Sequence, residues 1–444
     1  MNESSFHDTI FALSSGRLPA GVAVIRVSGP QTRFVIETIF SKLPEPRRAM
    51  FGSFHSVNGE LLDQGLLIYF KGPASFTGED CAEFHLHGGV AVVERFLSEL
   101  SQMQGLRFAE AGEFTRRAFT HGKMDLTIAE GLADLISAET EGQRRLAQHV
   151  ASGAQRDLYN DWRTKLIQAR ALIEAELDFA DESDVPGSVS DQVWEAMTVL
   201  NHSIQDHIAG GKRADLLRDG FQIVIAGEPN AGKSSLLNLL AGRDVAIISD
   251  EAGTTRDLLE VKLDLAGVPV YLTDTAGIRE TENKVEKIGI ERALEKARKA
   301  DLVLLLEDLT THQRTDLSDD LAGVETWRIG TKIDLTHDYK SEDFNICISV
   351  TSGENINQLI DSLTEIVSAE AGNLSEVVPT RLRHISLLKQ TANEIENAIA
   401  NTNYPLELRA ENLRLASQSL GRITGDVDVE DILDVIFSEF CIGK

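Results

Sequence analysis

The chain has 444 residues, 42% hydrophobic and 25% charged, a composition typical of a soluble globular protein with about two to four domains. Its formal net charge of −27 opposes attraction to nucleic acid, so an RNA contact requires a local basic patch or a basic partner. Three widely spaced cysteines without a C-x-x-C pair argue against a disulfide framework or a zinc site. We expect a cytoplasmic protein without membrane contact, because neither a signal peptide nor a long apolar segment is visible.

An α+β pattern occupies residues 1–120. Val22–Val27, Leu66–Phe70 and Cys81–Leu86 are predicted strands, and the last of them precedes a predicted helix over Val90–Leu100. We therefore expect a separate N-terminal α+β domain.

Long helices are predicted for residues 121–217. The clearest has apolar residues spaced by three and four positions on one face: Leu158, Trp162, Leu166, Ala169, Ile173 and Leu177. Helical periodicity resumes over residues 373–444, so residues 218–372 are predicted to be a domain inserted into one helical domain.

The inserted segment opens with the pattern G-x-x-x-x-G-K-S over residues 227–234. A predicted buried strand, Phe221–Ala226, precedes it, and a helix-forming run, Ser235–Ala241, follows. This context predicts a phosphate-binding loop, with Lys233 on the β- and γ-phosphates and Ser234 as a Mg²⁺ ligand.

Three later elements also follow predicted strands and match the ligand crevice of an open α/β sheet. Residues 274–277, Asp-Thr-Ala-Gly, bring a carboxylate near the metal and a glycine N–H near the γ-phosphate. Asp334 of Thr-Lys-Ile-Asp can accept two hydrogen bonds from guanine, and the N–H groups of residues 349–351 can contact the guanine oxygen. The segment resembles a GTPase of the translation-factor class. Ile278 replaces the water-orienting glutamine of Ras-like enzymes, so another group must position the water.

Motifs along the whole chain resemble the MnmE (TrmE) family of tRNA modification GTPases. The matching sequences are Ile-Arg-Val-Ser-Gly at 25–29, Ser-Phe-Thr-Gly-Glu-Asp at 75–80, His-Gly-Gly at 87–89, Gly-Glu-Phe-Thr at 112–115, Gly-Lys-Met-Asp-Leu at 122–126, the phosphate loop at 227–235, Ala-Gly-Thr-Thr-Arg-Asp at 252–257 and Cys-Ile-Gly-Lys at 441–444.

The resemblance implies a multidomain chain of α/β and α domains. An N-terminal α+β domain (1–120) would bind tetrahydrofolate and dimerise, a helical domain (121–217 and 373–444) would follow, and a Ras-like P-loop GTPase domain (218–372) would be inserted in it. The implied activity is K⁺-dependent GTP hydrolysis. A homodimer, in a heterotetramer with the FAD protein MnmG, would add a carboxymethylaminomethyl-like group to C5 of uridine 34 of certain tRNAs, using 5-formyl- or 5,10-methylene-tetrahydrofolate.

The resemblance also implies site residues. Folate would be contacted by Arg26, Glu83, Lys123 and Lys444, with Cys441, Glu286 and Lys233 as catalytic groups. Mg²⁺ would be held by Ser234 and Thr255, and K⁺ by Asn230, Ser249, Glu251 and Thr254. The residues expected around GTP are Asn230, Ala231, Gly232, Lys233, Ser234, Ser235, Ser249, Asp250, Glu251, Ala252, Gly253, Thr254, Thr255, Asp274, Thr275, Ala276, Gly277, Thr331, Lys332, Asp334, Ser349, Val350 and Thr351.

Two departures from the family pattern stand out. Thr331 replaces the usual asparagine of the guanine motif, which puts guanine affinity in question while Asp334 preserves selectivity. Residues 14–21 are poorer in glycine than the family pattern, so the conformation of this loop near the folate pocket does not follow from the resemblance.

Other functions stay open at this stage. An Era-like GTPase of ribosome assembly shares the phosphate loop, and a nucleotide-dependent scaffold without chemistry is a third possibility. Candidate RNA-binding patches are Arg116 and Arg117 with Lys123, and Arg381 and Arg383 with His384, although solvated helix faces explain them equally well. The choice among glycine, ammonium and taurine as nitrogen donor, the tRNAs used, the role of Cys441 and the source organism are not determined.

Overall fold

The computed structural model of the protein describes residues 7–178, 189–243, 245–247, 260–274, 295–311, 321, 323–336, 341–372, 376–427, 430–438, 440 and 442–443. The chain forms two compact units. One comprises Met1–Ala133, Ala151–Met197 and Asn393–Lys444, and the other comprises Asp134–Val150 and Thr198–Ala392. None of the helices in the described ranges has both the length and the apolar character needed to cross a bilayer.

The helices in the described ranges are α1 (Thr32–Phe40), α2 (Val90–Ser101), α3 (Glu113–Thr120), α4 (Leu126–Ser137), α5 (Glu141–Ala151), α6 (Ala154–Asp178), α7 (Val189–Ala209), α8 (Gly211–Asp219), α9 (Lys233–Ala241), α10 (Ile356–Ala371), α11 (Leu382–Ala400), α12 (Leu406–Thr424) and α13 (Glu430–Ser438). The expected helical face of α6 is confirmed, because Trp162, Leu166, Ala169 and Ile173 are all buried. In the first unit, α6 packs against α12.

A six-stranded sheet forms the N-terminal part of the first unit. Its strands are β1 (Thr9–Leu13), β2 (Ala20–Ser28), β3 (Met50–His55), β4 (Leu61–Phe70), β5 (Cys81–Gly88) and β6 (Leu106–Phe108). They are ordered β3-β4-β5-β2-β1-β6, and every neighbouring pair is antiparallel except β1 with β6.

Side chains alternate between the two faces of this sheet, as the period of two in a strand requires. Ile25 of β2 and Phe84 of β5 point into an apolar core that also contains Val35 of α1 and Phe96 of α2. Residues of the other parity, such as Arg26, lie on the opposite face. The alternation therefore supplies one face to the core and leaves polar groups on the other.

A buried ionic network joins α3 to the start of the N-terminal sheet. The fully buried Arg117 guanidinium bonds Asp8 at 2.8 Å, Glu113 at 2.9 Å and Glu79 at 3.1 Å. Burial alone would raise the pKa of Glu113, but hydrogen bonds from Arg107, the Glu110 N–H and Arg117 more than offset it and hold that pKa below its usual value. Burial and hydrogen bonding oppose each other in the same way at Asp8, whose pKa is also lowered.

This network predicts a specific loss of stability in acid. Because the folded-state pKa values of Asp8 and Glu113 lie below those of the unfolded chain, their contribution is complete above about pH 4 and is lost as the pH falls through the folded-state values. Arg117→Met should lower the free energy of unfolding by about 3–5 kcal/mol at pH 7, since it leaves three carboxylates without their shared cation. The difference in unfolding free energy between the native protein and Arg117→Met should be smaller at pH 3. Calorimetric melting of both proteins at the two pH values measures this, and an equal deficit at both would contradict it.

The second unit contains a mostly parallel six-stranded sheet. Its strands are β7 (Phe221–Gly227), β8 (Glu260–Leu265), β9 (Val268–Asp274), β10 (Leu302–Asp308), β11 (Glu325–Thr331) and β12 (Ile346–Ile348), in the order β12-β11-β10-β7-β9-β8. Only β8 runs antiparallel to its neighbour. The carboxyl ends of β7, β9, β11 and β12 therefore share one edge, which is where an open α/β sheet binds ligands.

Apolar side chains cover both faces of this sheet. On one face, Ile225 and Leu304 belong to a core that includes Leu236 of α9 and Leu359 of α10. On the other face, residues of the alternate parity form a smaller cluster: Val224, Ala226, Val303 and Leu305. Burial on both faces explains why these strands are continuous apolar runs in the sequence.

Candidate functional site

The predicted phosphate loop lies between β7 and α9. Gly227 has φ +137°, and a Cβ there would lie 2.3 Å from the Leu306 carbonyl oxygen, so only glycine fits. Gly232, with φ +96°, precedes the first residue of α9, Lys233. The Lys233 ammonium donates to the carbonyl oxygens of Gly227 at 2.9 Å and Glu228 at 2.7 Å. The loop therefore curls around the ammonium at a helix N-terminus, an arrangement that favours phosphate.

The predicted metal ligand lies beside the first residue of Asp-Thr-Ala-Gly. The Ser234 hydroxyl donates to Asp274 Oδ2 at 2.7 Å, and Asp274 is fully buried at the end of β9. A hydroxyl and a carboxylate next to a phosphate loop form the oxygen donor set that Mg²⁺ prefers. The residues present thus fit the metal that the sequence predicts.

The guanine motif is anchored to the phosphate loop. Thr331 is 1% exposed, and its hydroxyl lies 2.9 Å from the Ala231 carbonyl oxygen and 3.1 Å from that of Glu307. A hydroxyl has one proton to donate, so these two carbonyls share it. Thr331 therefore positions the guanine motif against the phosphate loop from inside the protein. The sequence did not reveal this role.

Lys332 of the same motif is held by a carboxylate that sequence reasoning missed. Its ammonium pairs with Asp308 Oδ2 at 2.5 Å, and its backbone has φ 64°. Burial would raise the pKa of Asp308, but hydrogen bonds from Lys332 and from the Thr310 hydroxyl and N–H lower it below its usual value. Asp308 ends β10, the strand beside β11. A carboxylate at the end of an apolar strand is the sequence feature that could have identified it.

The two remaining base-binding elements differ in accessibility. Asp334 is exposed, which is compatible with its predicted contact with the guanine base. The N–H of Ser349 donates to the Glu354 carbonyl oxygen at 3.1 Å, which leaves the predicted contact with the guanine oxygen to Val350 and Thr351.

Asp334→Asn should change the base preference from guanine to xanthine. A carboxylate accepts from both N–H groups of guanine, whereas an amide offers one acceptor and one donor and so pairs with the second oxygen of xanthine. We expect GTP affinity to fall at least roughly 10-fold and XTP to become the better substrate. Competition of GTP and XTP for the purified variant tests this, with the exposed Asp361→Asn on α10 as control.

Several predicted residues lie outside the described ranges. They are Ser249, Asp250, Glu251, Ala252, Gly253, Thr254, Thr255, Thr275, Ala276, Gly277, Ile278, Glu286, Cys441 and Lys444. Their assignments stay predictions.

Three of the four residues predicted to bind folate, Arg26, Glu83 and Lys123, lie in the described part of the first unit. Arg26 and Glu83 pair across β2 and β5, with Arg26 Nη2 3.0 Å from Glu83 Oε1. The Arg26 guanidinium lies 5.3 Å from the Phe76 ring centre and 5.6 Å from that of Phe114. Lys123 donates to the carbonyl oxygen of Pro73, in the loop that carries Phe76, at 2.9 Å. A cation, a carboxylate and two aromatic rings fit a flat, partly anionic ligand.

Both candidate RNA patches are engaged internally. Arg117 is fully buried in its ionic network, and Arg116 pairs with Asp434 at 2.9 Å. Arg381 pairs with Asp134 at 2.7 Å, and His384 is fully buried. These contacts occupy Arg116, Arg117 and Arg381 within the fold, and the suggestion that the two patches bind RNA stays a prediction.

Comparison with known proteins identifies relatives along the whole chain. The family model of the TrmE N-terminus, described as a GTP-binding protein, matches residues 9–123, and that of the MnmE helical domain matches residues 126–441. A tRNA modification GTPase MnmE of Brucella anthropi is 64% identical over 99% of both chains, and one of Brucella canis is 66% identical over 99% of both. The chain belongs to the MnmE family of tRNA modification GTPases.

Solved structures give weaker matches. Era of Aquifex aeolicus bound to GDP and AlF₄⁻ is 23% identical and covers 39% of this chain and 66% of its own, with a TM-score of 0.28. The FeoB G domain of T. maritima is 24% identical and covers 34% and 99%, with a TM-score of 0.25. The family matches confirm the predicted fold class, a multidomain chain with an N-terminal α+β domain, a helical domain and a P-loop GTPase domain, while the exact domain boundaries stay predictions.

Proposed function

We propose that this chain is a GTPase that acts in tRNA modification and, with MnmG, attaches an aminomethyl-type group to C5 of the wobble uridine. One observation carries the proposal. A phosphate loop closed around Lys233, with Ser234 beside Asp274, occurs in a chain that aligns over 99% of its length with tRNA modification GTPases. An Era-like role in ribosome assembly would leave the match of the N-terminal domain without explanation.

For hydrolysis, this chain's own groups bind and orient GTP. Lys233 neutralises charge on the β- and γ-phosphates, and Ser234 and Thr255 would hold Mg²⁺. Glu286 orients the attacking water, because Ile278 stands where Ras-like enzymes have the glutamine with that role. The Mg²⁺ ion, when bound, offsets the negative charge of the phosphates. Thr331 contributes indirectly, because it keeps the phosphate loop and the base loop in register.

A potassium ion would supply the positive charge that other GTPases take from an arginine. We assign it to the side-chain oxygen of Asn230, with Ser249, Glu251 and Thr254 as further ligands. The backbone of Asn230 has φ 66°, a conformation that asparagine tolerates better than most residues.

Turnover should rise strongly when Na⁺ is replaced by K⁺ at constant ionic strength. Asn230→Ala should remove the rise and leave GTP binding largely intact, because the side-chain oxygen is lost. Asn230→Gly is the matched variant, since glycine adopts φ 66° without strain. Both should lose the K⁺ response, and Asn230→Asp, which keeps an oxygen, should retain part of it. Equal rates of the native protein in NaCl and KCl would refute the assignment.

The folate would lie against the ion pair that Arg26 and Glu83 form across β2 and β5. Glu83 can accept hydrogen bonds from the amidine-like edge of a pterin, and Arg26, Lys123 and Lys444 can pair with the carboxylates of the glutamate tail. The proposed donor is 5-formyl- or 5,10-methylene-tetrahydrofolate.

We propose a homodimer formed through the N-terminal sheet, which then joins MnmG in a heterotetramer. Val22, Phe51 and Leu66 lie on the sheet face opposite the core and are 56%, 70% and 40% exposed. Apolar side chains grouped in this way mark interaction surfaces. Sedimentation of the native chain tests the dimer.

Nucleoside analysis of tRNA from a strain that lacks the gene is the decisive experiment. Loss of the modified wobble uridine, restored by the native gene but not by a gene carrying Asp274→Ala, is expected. Unchanged tRNA in the deletion strain would exclude the proposed function.

A further inference from the structure

Lys123, one of the residues proposed to bind the folate, follows the end of α3 in a tight helix cap. Gly122 has φ +64°, its N–H donates to the Phe119 carbonyl oxygen at 2.9 Å, and the Lys123 N–H donates to that of Ala118 at 2.8 Å. This is the Schellman arrangement, in which a glycine in the left-handed region ends the helix. The cap therefore fixes the backbone of Lys123 to α3.

His121, the residue between α3 and Gly122, ties this cap to the loop between β4 and β5. Its Nδ1 lies 2.7 Å from the Thr77 carbonyl oxygen, and because a carbonyl oxygen only accepts, Nδ1 donates the proton. The side chain also rests against Gly78, where φ is +84° and a Cβ would lie 2.8 Å from the His121 Cβ. A residue with a side chain at position 78 would displace His121. The contact of the imidazole with the loop thus depends on the glycine beside it.

Thr77 continues this connection to the strand that carries Arg26. It is fully buried, and its hydroxyl lies 2.7 Å from the hydroxyl of Ser28. Ser28 is two residues after Arg26 on β2, so both side chains lie on the same face of the strand. The loop that contains Thr77 also places the Phe76 ring beside the Arg26 guanidinium. The hydrogen bonds of Thr77 thus join the cap before Lys123 to the strand of Arg26.

The ammonium of Lys123 is held by the same loop. It donates to the Pro73 carbonyl oxygen at 2.9 Å, which uses one of its three protons and leaves two for a carboxylate. A lysine side chain has much conformational freedom to lose when it binds a ligand. Because the backbone and the ammonium of Lys123 are already placed, less of that freedom is lost on binding, and a ligand carboxylate is bound more tightly.

We infer that His121 is a positioning residue for the reduced folate and that it acts through Lys123. The inference rests on the proposed function, in which the pterin lies against Glu83 and Lys123 pairs with a carboxylate of the glutamate tail. His121 keeps Lys123 at a fixed place relative to Arg26 and Glu83, so a ligand that has both a pterin and a tail is bound more tightly. A pterin without a tail does not reach Lys123, and its binding is independent of His121.

The test measures equilibrium binding of two probes to the full-length chain, 5-formyl-tetrahydrofolate and a reduced pterin without the benzoylglutamate tail. His121→Ala should weaken folate binding roughly 10-fold, the effect of one lost hydrogen bond, and should change pterin binding by less than about twofold. His121→Asn keeps an N–H donor and should retain most of the affinity for folate. The matched control is His202→Ala, at an exposed histidine of α7, which should bind both probes as the native chain does.

A double-mutant cycle with Lys123→Ala shows whether His121 acts through the lysine. Lys123→Ala should weaken folate binding in the native chain but add little to the loss in His121→Ala, because the two side chains contribute to one interaction. Additive losses would overturn the inference, as would equal weakening of both probes by His121→Ala or unchanged folate binding by that variant. Failure of the native chain to bind 5-formyl-tetrahydrofolate would instead count against the proposed function.

Discussion

Lys233→Ala should lower GTP turnover by roughly 10²–10³-fold, the effect typical of one lost electrostatic group in a preorganised site. The structure supplies the reason. Lys233 is 6% exposed, and two loop carbonyls hold its ammonium at the start of α9. Its position is set before nucleotide binds, so little reorganisation is needed when charge develops on the phosphates. Alanine cannot replace the charge or the contacts that shape the loop.

The control for this variant is Lys299→Ala, an exposed lysine of the same unit paired with Glu295. It should turn over GTP at the native rate. Nucleotide binding followed by fluorescent GDP separates binding from chemistry, and melting temperature reports folding. Turnover of Lys233→Ala within a few-fold of native would show that the loop around residues 227–234 is not the phosphate site.

The main elements were predictable where the sequence pattern reports burial directly. β7 and β9 are continuous apolar runs because both of their faces are covered, and β2 and β5 alternate because only one face meets the core. β1 was not predicted. Phe11 faces the main core while Ile10 belongs to a second cluster with Phe114, so this short strand shows neither alternation nor a long apolar run. One of its two partners, β6, is also distant in sequence.

The site was predictable to the extent that parallel strands end at one edge. That rule predicts Ser234 close to Asp274, and the two side chains are hydrogen-bonded at 2.7 Å. The role of Thr331 could not be predicted, because its hydroxyl bonds Ala231, one hundred positions earlier in the chain. The contact of Lys123 with the carbonyl oxygen of Pro73, fifty positions earlier, is a similar case. Contacts of this kind depend on tertiary packing and have no local pattern.

The tail that carries the Cys-Ile-Gly-Lys motif is anchored in the N-terminal domain. Gly443 accepts a hydrogen bond from the Ser14 hydroxyl at 2.7 Å through its carbonyl oxygen, and Ile442 forms an antiparallel bridge with Ala111. A Cβ at Gly443, where φ is +99°, would lie 2.1 Å from the Leu13 carbonyl oxygen. Chain ends are usually frayed. This one instead packs closely against the end of β1, the strand that pairs with β2.

The tail also follows a helix that is firmly docked. Phe437 of α13 and the adjacent Phe440 are buried with Leu126 of α4, and partly buried Leu433 packs beside them. Phe440 therefore provides a fixed point before the motif, and Gly443 lies against Leu13. Since β2 carries Arg26, we propose that Cys441 and Lys444 serve the folate site.

Deleting residues 441–444 should abolish tRNA modification in cells and leave GTP hydrolysis near the native rate. The groups proposed for hydrolysis, such as Lys233 and Asp274, lie at the edge of the second sheet, whereas the deletion removes the proposed folate ligand and thiol. If the deletion only destabilised α13, the melting temperature would fall together with modification. Cys441→Ser separates the two cases, because it exchanges one sulfur for an oxygen and preserves the tail. A role for the thiol in the modification predicts unmodified uridine with native stability and turnover. Fully modified tRNA in cells carrying Cys441→Ser would show that the thiol has no chemical role and that the tail acts only in the structure. In that case Gly443→Ala should disturb the tail, because the added Cβ would clash with the Leu13 carbonyl oxygen.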